Sequence, residues 1–327
     1  MSLKFVNSIV IGEDRIEHGL FKKIKGGVEL INFSYFSFDF NDVDKISLIA
    51  NELKNYTDKD RYTFICFAMR DIIKDILPFK GKSKDIKLEI FDHLKETYMV
   101  ELSEYNLDYT VNEVDEMNIV YAVMIYKELS DTIYKALIKN GFKLLTAETD
   151  CDSLMRSSIL LVPDEEFYLH VHIRGTDTTM FILKNNKIML ERHVKEGWDD
   201  IIDLFSNAMS LDIEGAENIL VDKGFDRNKT NEKELDAITN AVDKLTIQVQ
   251  RTMDLYFQTY RSENVSSIVI SGRGIDIPDL DRYWSEIFAM QVKKVNIGKL
   301  AKVNIDFDIR KLNYLDEMVG LGLNNEY

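Results

Sequence analysis

Residues 167–197, FYLHVHIRGTDTTMFILKNNKIMLERHVKEG, hold three short β-like runs joined first by Arg174-Gly175-Thr176-Asp177 and then by Asn185-Asn186. A strand, a tight turn carrying glycine and hydroxyls, and a second strand can wrap backbone N–H groups around a phosphate. Glycine lets the backbone itself approach the anion. Gly175, Thr176 and Thr178 have that character, whereas His172 and Arg174 flank the turn with side chains unlike a magnesium-holding carboxylate or a second small residue. Magnesium on a triphosphate calls for hard oxygen ligands, which an imidazole supplies poorly.

A second glycine turn follows the β-branched run Ser266 to Ser271, as Gly272-Arg273-Gly274-Ile275-Asp276-Ile277-Pro278. Strand, glycine turn, proline and helix make another place where backbone can close on a ligand, here with Arg273 inside the glycine run. The two arginines admit two readings. They project into space that phosphates need, or they themselves pair with a phosphate bidentately and give binding without turnover.

Other constellations are weaker. His170 and His172 share a face of one strand and could meet His193 on the next, as imidazoles do around zinc. No cysteine or carboxylate completes a ligand spacing, so they read as polar lining and no metal site is assigned. Asp71, Asp75 and Asp85 lie among Lys74, Lys80, Lys82 and Lys84, the mixed charge of a solvated surface. Neither a Ser/His/Asp order nor a Cys/His nucleophile is legible, and no catalytic residue is assigned.

The chain that positions these turns has 327 residues, enough for roughly two domains of about 150 residues each. Its 56 acidic against 41 basic residues give a net charge of −15, which argues against a nucleic-acid or anionic-lipid surface, since both need clustered positive charge. Two cysteines in apolar contexts, Cys66 and Cys151, fit buried thiols in a reducing compartment better than a disulfide framework. The N-terminal apolar run is too short for a signal peptide and no stretch of about 18 apolar residues is present, so membrane association is expected only through a partner.

Along the chain, an opening meander of three strands is followed by a helix capped by Asn41-Asp42, with Val43, Ile46, Ile49 and Leu53 on one face, and by a buried strand from Tyr62 to Ala68. This βββαβ order is half of a ribonuclease-H-like domain. After Leu77-Pro78 comes a module read as αββαβ: helix 86–98, strands 106–114 and 118–125, helix 129–139 and strand 142–146. A helix at 152–158 leads to Pro163-Asp164 and the second half: the hairpin above, helices from Trp198 and Ile213, and one long helix from about Glu232 to Arg261. Its stripe Ile238, Ala241, Leu245, Val249, Met253 and Tyr256 is a core face.

VISGRGIDIPDL, residues 269–280, resembles the adenosine-binding turn of actin-like ATPases related to FtsA, and the chain is most similar to the PilM family of type IV pilus assembly proteins. The likeness extends through Leu107-Asp108-Tyr109, Tyr121-Ala122-Val123 with Lys127-Glu128, Asn140-Gly141-Phe142, Ala216-Glu217, and the closing Val319-Gly320-Leu321-Gly322-Leu323. The resemblance implies an α/β, actin-like (ribonuclease-H-like) two-domain fold with an inserted subdomain. The expected divisions are 1–78, the first half-domain; 79–149, the insert; 150–310, the second half-domain; and 311–327, a C-terminal helix and tail packing back on the first half.

It also implies nucleotide contacts at Gly12, Arg174, Gly175, Thr176, Thr178, Glu217, Gly272, Arg273 and Gly274. Four motifs depart from the family: Ile11-Gly12-Glu13-Asp14-Arg15 places its carboxylates after the glycine, His172 and Arg174 replace Asp and Gly, Arg273 interrupts the glycine run, and Leu220 stands where relatives place a lysine. The expectation is therefore a scaffold with a degenerate, non-hydrolytic ATP site and no required cofactor. By resemblance it binds the cytoplasmic N-terminal tail of a PilN-like inner-membrane protein, between the first half-domain and the insert, and couples to the assembly ATPase of the same machine. It would be cytoplasmic and peripheral at the inner face of the membrane. Strand 106–114 would offer edge hydrogen bonds there, and Tyr98, Tyr105, Tyr109 and Tyr121 a tyrosine-rich surface. The competing readings are an actin-like ATPase whose bound Mg-ATP gates partner affinity, and an FtsA-type filament protein, which would need a basic, aromatic C-terminal membrane helix.

Overall fold

The computed structural model describes residues 3–12, 15–37, 43–69, 72–80, 86–114, 117–261, 265–303 and 315–324. Chain contacts divide it into one unit of Met1–Ser157, Lys299–Phe307 and Glu317–Tyr327, and a second of Ser158–Gly298 and Asp308–Asp316.

The first unit opens with β1 (Phe5–Ile11), β2 (Arg15–Ile24) and β3 (Gly27–Ser37), an antiparallel meander. Helix α1 (Val43–Glu52) runs into a short 3-10 turn and then β4 (Tyr62–Phe67), which pairs parallel to β1. The apolar period of α1 does what its spacing requires: Ile46 and Ile49, with Leu53 in the following turn, are buried in a core with Ile9, Ile11, Ile65 and Phe67. The capping pair Asn41-Asp42 lies outside the described residues.

The insert contains one more strand than the sequence pattern suggests. β5 (Ile73–Lys80) is followed by α2 (Ile86–Tyr98), β6 (Tyr105–Val114), β7 (Met117–Tyr126) and α3 (Lys127–Lys139), and the three strands form a sheet in the order β5-β7-β6. Pro78 obscured β5. It is tolerated because β5 lies at the sheet edge, where a missing N–H breaks no ladder on the outer side. The strand expected to close the insert, 142–146, is observed as β8 (Lys143–Thr149) and belongs to the first sheet, parallel to β4. Leu77, Ile90, Leu94, Val120, Ala122 and Met124 give the insert its own core. Helix α4 (Asp150–Leu161) follows β8.

The second unit repeats the plan. β9 (Phe167–Ile173), β10 (Thr178–Lys184) and β11 (Lys187–Val194) are antiparallel. After α5 (Trp198–Met209), α6 (Ile213–Asp222) and α7 (Glu232–Tyr260), β12 (Ser267–Gly272) pairs parallel to β9. Helix α8 (Leu280–Phe288) leads to β13 (Gln291–Lys294), parallel to β12. The order β11-β10-β9-β12-β13 thus matches β3-β2-β1-β4-β8 strand for strand, two copies of one ribonuclease-H-like half. The α7 stripe is core as expected, except that Met253 is only half-buried and Thr252 is buried. The chain then returns to the first unit: β14 (Ala301–Val303) pairs with β3, and α9 (Asp316–Gly322) packs Gly320 against the Ser153 carbonyl. Cys66 and Cys151 are buried and are not joined in a disulfide.

Candidate functional site

In the second unit, Arg174 to Asp177 close the β9–β10 hairpin through the Arg174 N–H on the Asp177 carbonyl, 2.9 Å. Helix α5 is docked directly onto this turn. The amides of Trp198 and Asp199 donate to the carbonyls of Arg174 and Gly175, each at 2.8 Å, so two helix N-terminal donors of the kind that bind anions are already used within the chain. A glycine is required at 197, because a Cβ there would lie 2.4 Å from the Gly175 oxygen and 2.5 Å from the Asp177 nitrogen.

The polar side chains of the turn are likewise engaged within the chain. Arg174 is buried, its Nη1 donates to Thr179 Oγ1 at 2.5 Å and lies 3.7 Å from the Asp177 carboxylate. The Thr178 hydroxyl donates to the Glu196 carbonyl at 2.7 Å. Thr176 is the exposed member, and Gly175 neighbours the Asp199 carboxylate. Gly12 is in the first unit, at the β1–β2 turn, where its N–H donates to the Arg15 carbonyl; Glu13 and Asp14 lie outside the described residues.

His170 and His172 do not assemble with His193. Both are fully buried and converge on one hydroxyl: Ser271 Oγ is 2.7 Å from His170 Nε2 and 2.8 Å from His172 Nδ1. His170 Nδ1 also meets Ser158 Oγ at 2.9 Å, while its ring stacks on Phe181. His193 faces Asp177 and Glu191 instead. Of the carboxylates grouped by sequence, Asp75 pairs with His93 at 3.1 Å, and Asp71 and Asp85 lie outside the described residues.

The second glycine turn is built as its sequence asks. Gly272 has φ +67°, and a Cβ there would fall 2.3 Å from the Ile173 oxygen. Arg273 follows in a 3-10 turn, buried, with its guanidinium 4.2 Å over the Trp198 ring. Its Nε lies 3.1 Å from the Asp276 carboxylate and its Nη2 donates to Glu217. Gly274 packs against Ile173 and Ile270.

Together Trp198, Asp199, Ile202, Asp203, Ile213, Glu217 and Arg273 line a concavity of about 260 Å³ between α5, α6 and the Arg273 turn. Burial pushes the Asp199 carboxyl above its ordinary range; Arg273 pulls it down, and Asp200, Asp203 and Glu217 push it further up. Sequence reasoning found Glu217, Gly272, Arg273 and Gly274. It missed Trp198, whose only local signal is a tryptophan directly after a turn glycine.

A second concavity, of about 280 Å³, lies wholly in the first unit. Consecutive residues Asn106 to Thr110 of β6 form one wall and Ala147 to Thr149 of β8 another, with Tyr121, Val123 and Ile125 of β7 between them and Phe67, Ile72, Tyr134 and Asp152 completing it. Both wall strands are last in the order of their sheets. Their outer backbone edges are the groups an extended peptide pairs with. Tyr121 OH bonds Thr149 Oγ1 at 3.0 Å, and Asp152 accepts from the Thr149 N–H and hydroxyl at 3.1 and 2.7 Å, which ties insert to first sheet along the floor. Of the four tyrosines noted in the sequence, Tyr109 and Tyr121 reach this groove, whereas Tyr98 and Tyr105 pack on the insert core.

The profile of the family described as type IV pilus assembly protein PilM matches residues 152–324. No curated protein matches the sequence. Among solved structures, a PilM-PilN type IV pilus biogenesis complex is similar at 15% identity and a TM-score of 0.71, over 99% of this chain and 98% of that one. The ethanolamine utilization protein EutJ of Carboxydothermus hydrogenoformans is similar at 11% identity and 0.53, over 98% and 90%. A Bacteroides thetaiotaomicron protein of actin-like ATPase fold is similar at 10% and 0.50, over 98% and 96%. The fold is therefore actin-like, and among the described residues no helix is long and apolar enough to cross a membrane.

Proposed function

Because the chain belongs to the PilM family of type IV pilus assembly proteins, we propose that it is a non-hydrolytic scaffold of a pilus machine, holding the N-terminal tail of a PilN-like membrane protein in the groove between β6 and β8. The observation that carries this reading is the pair of strands, β6 and β8, each last in the order of its sheet among the described residues, that line one concavity with apolar walls at Phe67, Ile72, Val123 and Ile125. Such a groove takes an extended peptide by main-chain hydrogen bonds and reads alternate side chains in pockets. Attachment to the membrane then comes through the partner. Coupling to the assembly ATPase is the further role the family reading carries.

The second unit supports the non-hydrolytic half of the proposal. A Mg-ATP phosphate needs a carboxylate or water shell for the metal and free donors for the oxygens. At the carboxylate position stands His172, buried on Ser271. The Thr178 hydroxyl, the Trp198 and Asp199 amides and both guanidinium groups already have partners within the chain. The residues present do not fit Mg-ATP.

The test is a calorimetric titration of the full chain with a synthetic PilN-like tail peptide, with a scrambled peptide as control. Ala147→Trp places a bulky ring in the groove at an exposed position. Micromolar binding to the parent and a loss of at least tenfold in the variant are expected. Equal binding by parent and variant would remove the groove from the proposal.

A further inference from the structure

We infer that Asp108 sets the specificity of the groove between β6 and β8. It selects an extended tail that carries a lysine or arginine on its groove-facing side, with the aliphatic stem laid over Val123 and the charged head on the Asp108 carboxylate. The inference rests on the reading of this groove as the tail-peptide site and adds the chemistry of the residue that the groove selects.

The register of the insert sheet brings the relevant side chains to one face. Asp108 of β6 and Lys74 of β5 both pair with Val123 of β7, so the three stand in one row across the sheet, and Val123 lines the groove. The acid and base ends of that row are two strand spacings apart, about 10 Å. The base is already committed, because Lys74 is buried on Asp150 at 2.6 Å. Asp108 is exposed, and its Oδ1 accepts the N–H of Tyr109 at 2.8 Å. A carboxylate has acceptor capacity well beyond one such bond.

The other two carboxylates of the lining are spent within the chain. Glu148 holds Arg156 through both oxygens, at 2.7 and 2.8 Å, and Arg156 also donates to the Gly320 carbonyl at 2.8 Å. Asp152 accepts from the amide and hydroxyl of Thr149. Among the described residues no lysine, arginine or histidine lines the groove. A tail that brings a cation therefore finds a carboxylate beside an apolar floor, the surroundings in which a long basic side chain buries its stem and keeps its head charged. A tail that brings a carboxylate to the same place meets Asp108 with no cation between them, and like charges so juxtaposed exclude a partner. The apolar floor holds extended tails in general, and Asp108 chooses among them.

The test fills each position of a synthetic PilN-like tail peptide in turn with lysine, norleucine or glutamate. Every peptide is titrated by calorimetry into the full chain and into Asp108→Asn, Asp108→Lys and Ala147→Trp, at about 0.05 M and about 0.5 M salt. Asparagine keeps an oxygen for the Tyr109 N–H and removes only the charge, and thermal melts check that each variant folds. One position is expected at which lysine binds the parent at least threefold tighter than norleucine, with glutamate weakest. That preference should vanish in Asp108→Asn, whose affinity for the norleucine peptide stays within twofold of the parent's, invert toward glutamate in Asp108→Lys, and shrink at the higher salt. Binding that Ala147→Trp abolishes but that shows no lysine preference, or one that survives in Asp108→Asn, overturns the selectivity and leaves the groove standing. So does an Asp108→Asn variant that weakens every peptide alike. No binding by the parent, or binding that ignores Ala147→Trp, overturns the groove reading and the selectivity with it.

Discussion

Lys74 on β5 and Asp150 at the start of α4 make a 2.6 Å ion pair whose side chains are 6% and 0% exposed, and it joins the insert to the first half of the unit. Replacing Lys74 by Met keeps most of the stem and removes the charge, leaving Asp150 buried against a partner that no longer neutralises it. Breaking a buried pair from one side costs about 3–5 kcal/mol. Asp150 stands in the first turn of a helix, whose dipole returns about 0.3–1 kcal/mol to a carboxylate, so the lower end, about 3 kcal/mol, is expected. For a unit of this size that corresponds to a fall of about 6–12 °C in the melting temperature. The double variant Lys74→Met with Asp150→Asn removes the stranded charge as well and should recover most of the loss. Melting followed by circular dichroism gives the stability, and hydrogen exchange resolved by peptide shows whether β5 and β7 open first. Ile72, two residues before Lys74, and Thr149, directly before Asp150, both line the groove, so tail-peptide affinity should fall in the single variant and return in the double. A single variant within about 0.5 kcal/mol of the parent, or a double variant no better than the single, would refute the assignment of the pair as the tie between insert and first sheet.

Three further expectations follow from the same geometry. His18 is fully buried between Asn7 and Ser34, and burial lowers its pKa from 6.5 to about 3. The unfolded chain then takes up a proton that the folded chain refuses, so stability present above pH 6.5 is lost as pH falls toward 3, by about 2 kcal/mol at pH 5; urea unfolding of His18→Asn should show that much less acid sensitivity than the parent, and equal slopes would contradict it. Gly197→Ala would drive a methyl into the Gly175 to Asp177 backbone, and faster amide exchange at residues 173–178 with a lower melting temperature is expected; parental exchange rates would count against the docking of α5 on that turn. The triple variant His172→Asp, Arg174→Gly, Arg273→Gly changes only the second unit and should leave tail-peptide affinity within twofold of the parent, measured by calorimetry; a larger loss would mean that the groove and the phosphate turn are one site.

What could be read from the chain was whatever a local pattern encodes. The β10–β11 turn at Asn185-Asn186 was legible because both residues adopt φ above +50°, a conformation asparagine tolerates. The α7 core face was legible because its stripe from Ile238 to Tyr256 repeats over about five turns. β5 was hidden by Pro78, acceptable because β5 is last in its sheet among the described residues, and that is a fact of the sheet rather than of the segment. β8 was grouped with its sequence neighbours in the insert, while its parallel pairing reaches back some eighty residues to β4. The candidate site divides along the same line. Glycines and arginines in turns announce themselves, but the partners that decide what an arginine does, Trp198 and Glu217 for Arg273, are more than fifty residues away.

The arginines at turn positions admit two readings, a rebuilt anion site and a closed one, and the closure proposed above rests on the partners that they meet. An arginine poised for phosphate must present unspent donors, whereas Arg174 meets Thr179 and Asp177 and Arg273 meets Glu217, Asp276 and the face of Trp198. A fold that binds a ligand only in its native state gains about 2.7 kcal/mol when the ligand is at a hundred times its dissociation constant. A chain that no longer carries the ligand forfeits that term and leaves its phosphate turn open to water. Charge-assisted hydrogen bonds of about 1.5–3 kcal/mol each can return a stabilisation of the same size from within the chain. On the closed-site reading, the two arginines and their carboxylates therefore do for this unit what a bound nucleotide would do, and they make its shape independent of nucleotide concentration. That independence suits a scaffold, whose partner groove must persist whether or not ATP is abundant.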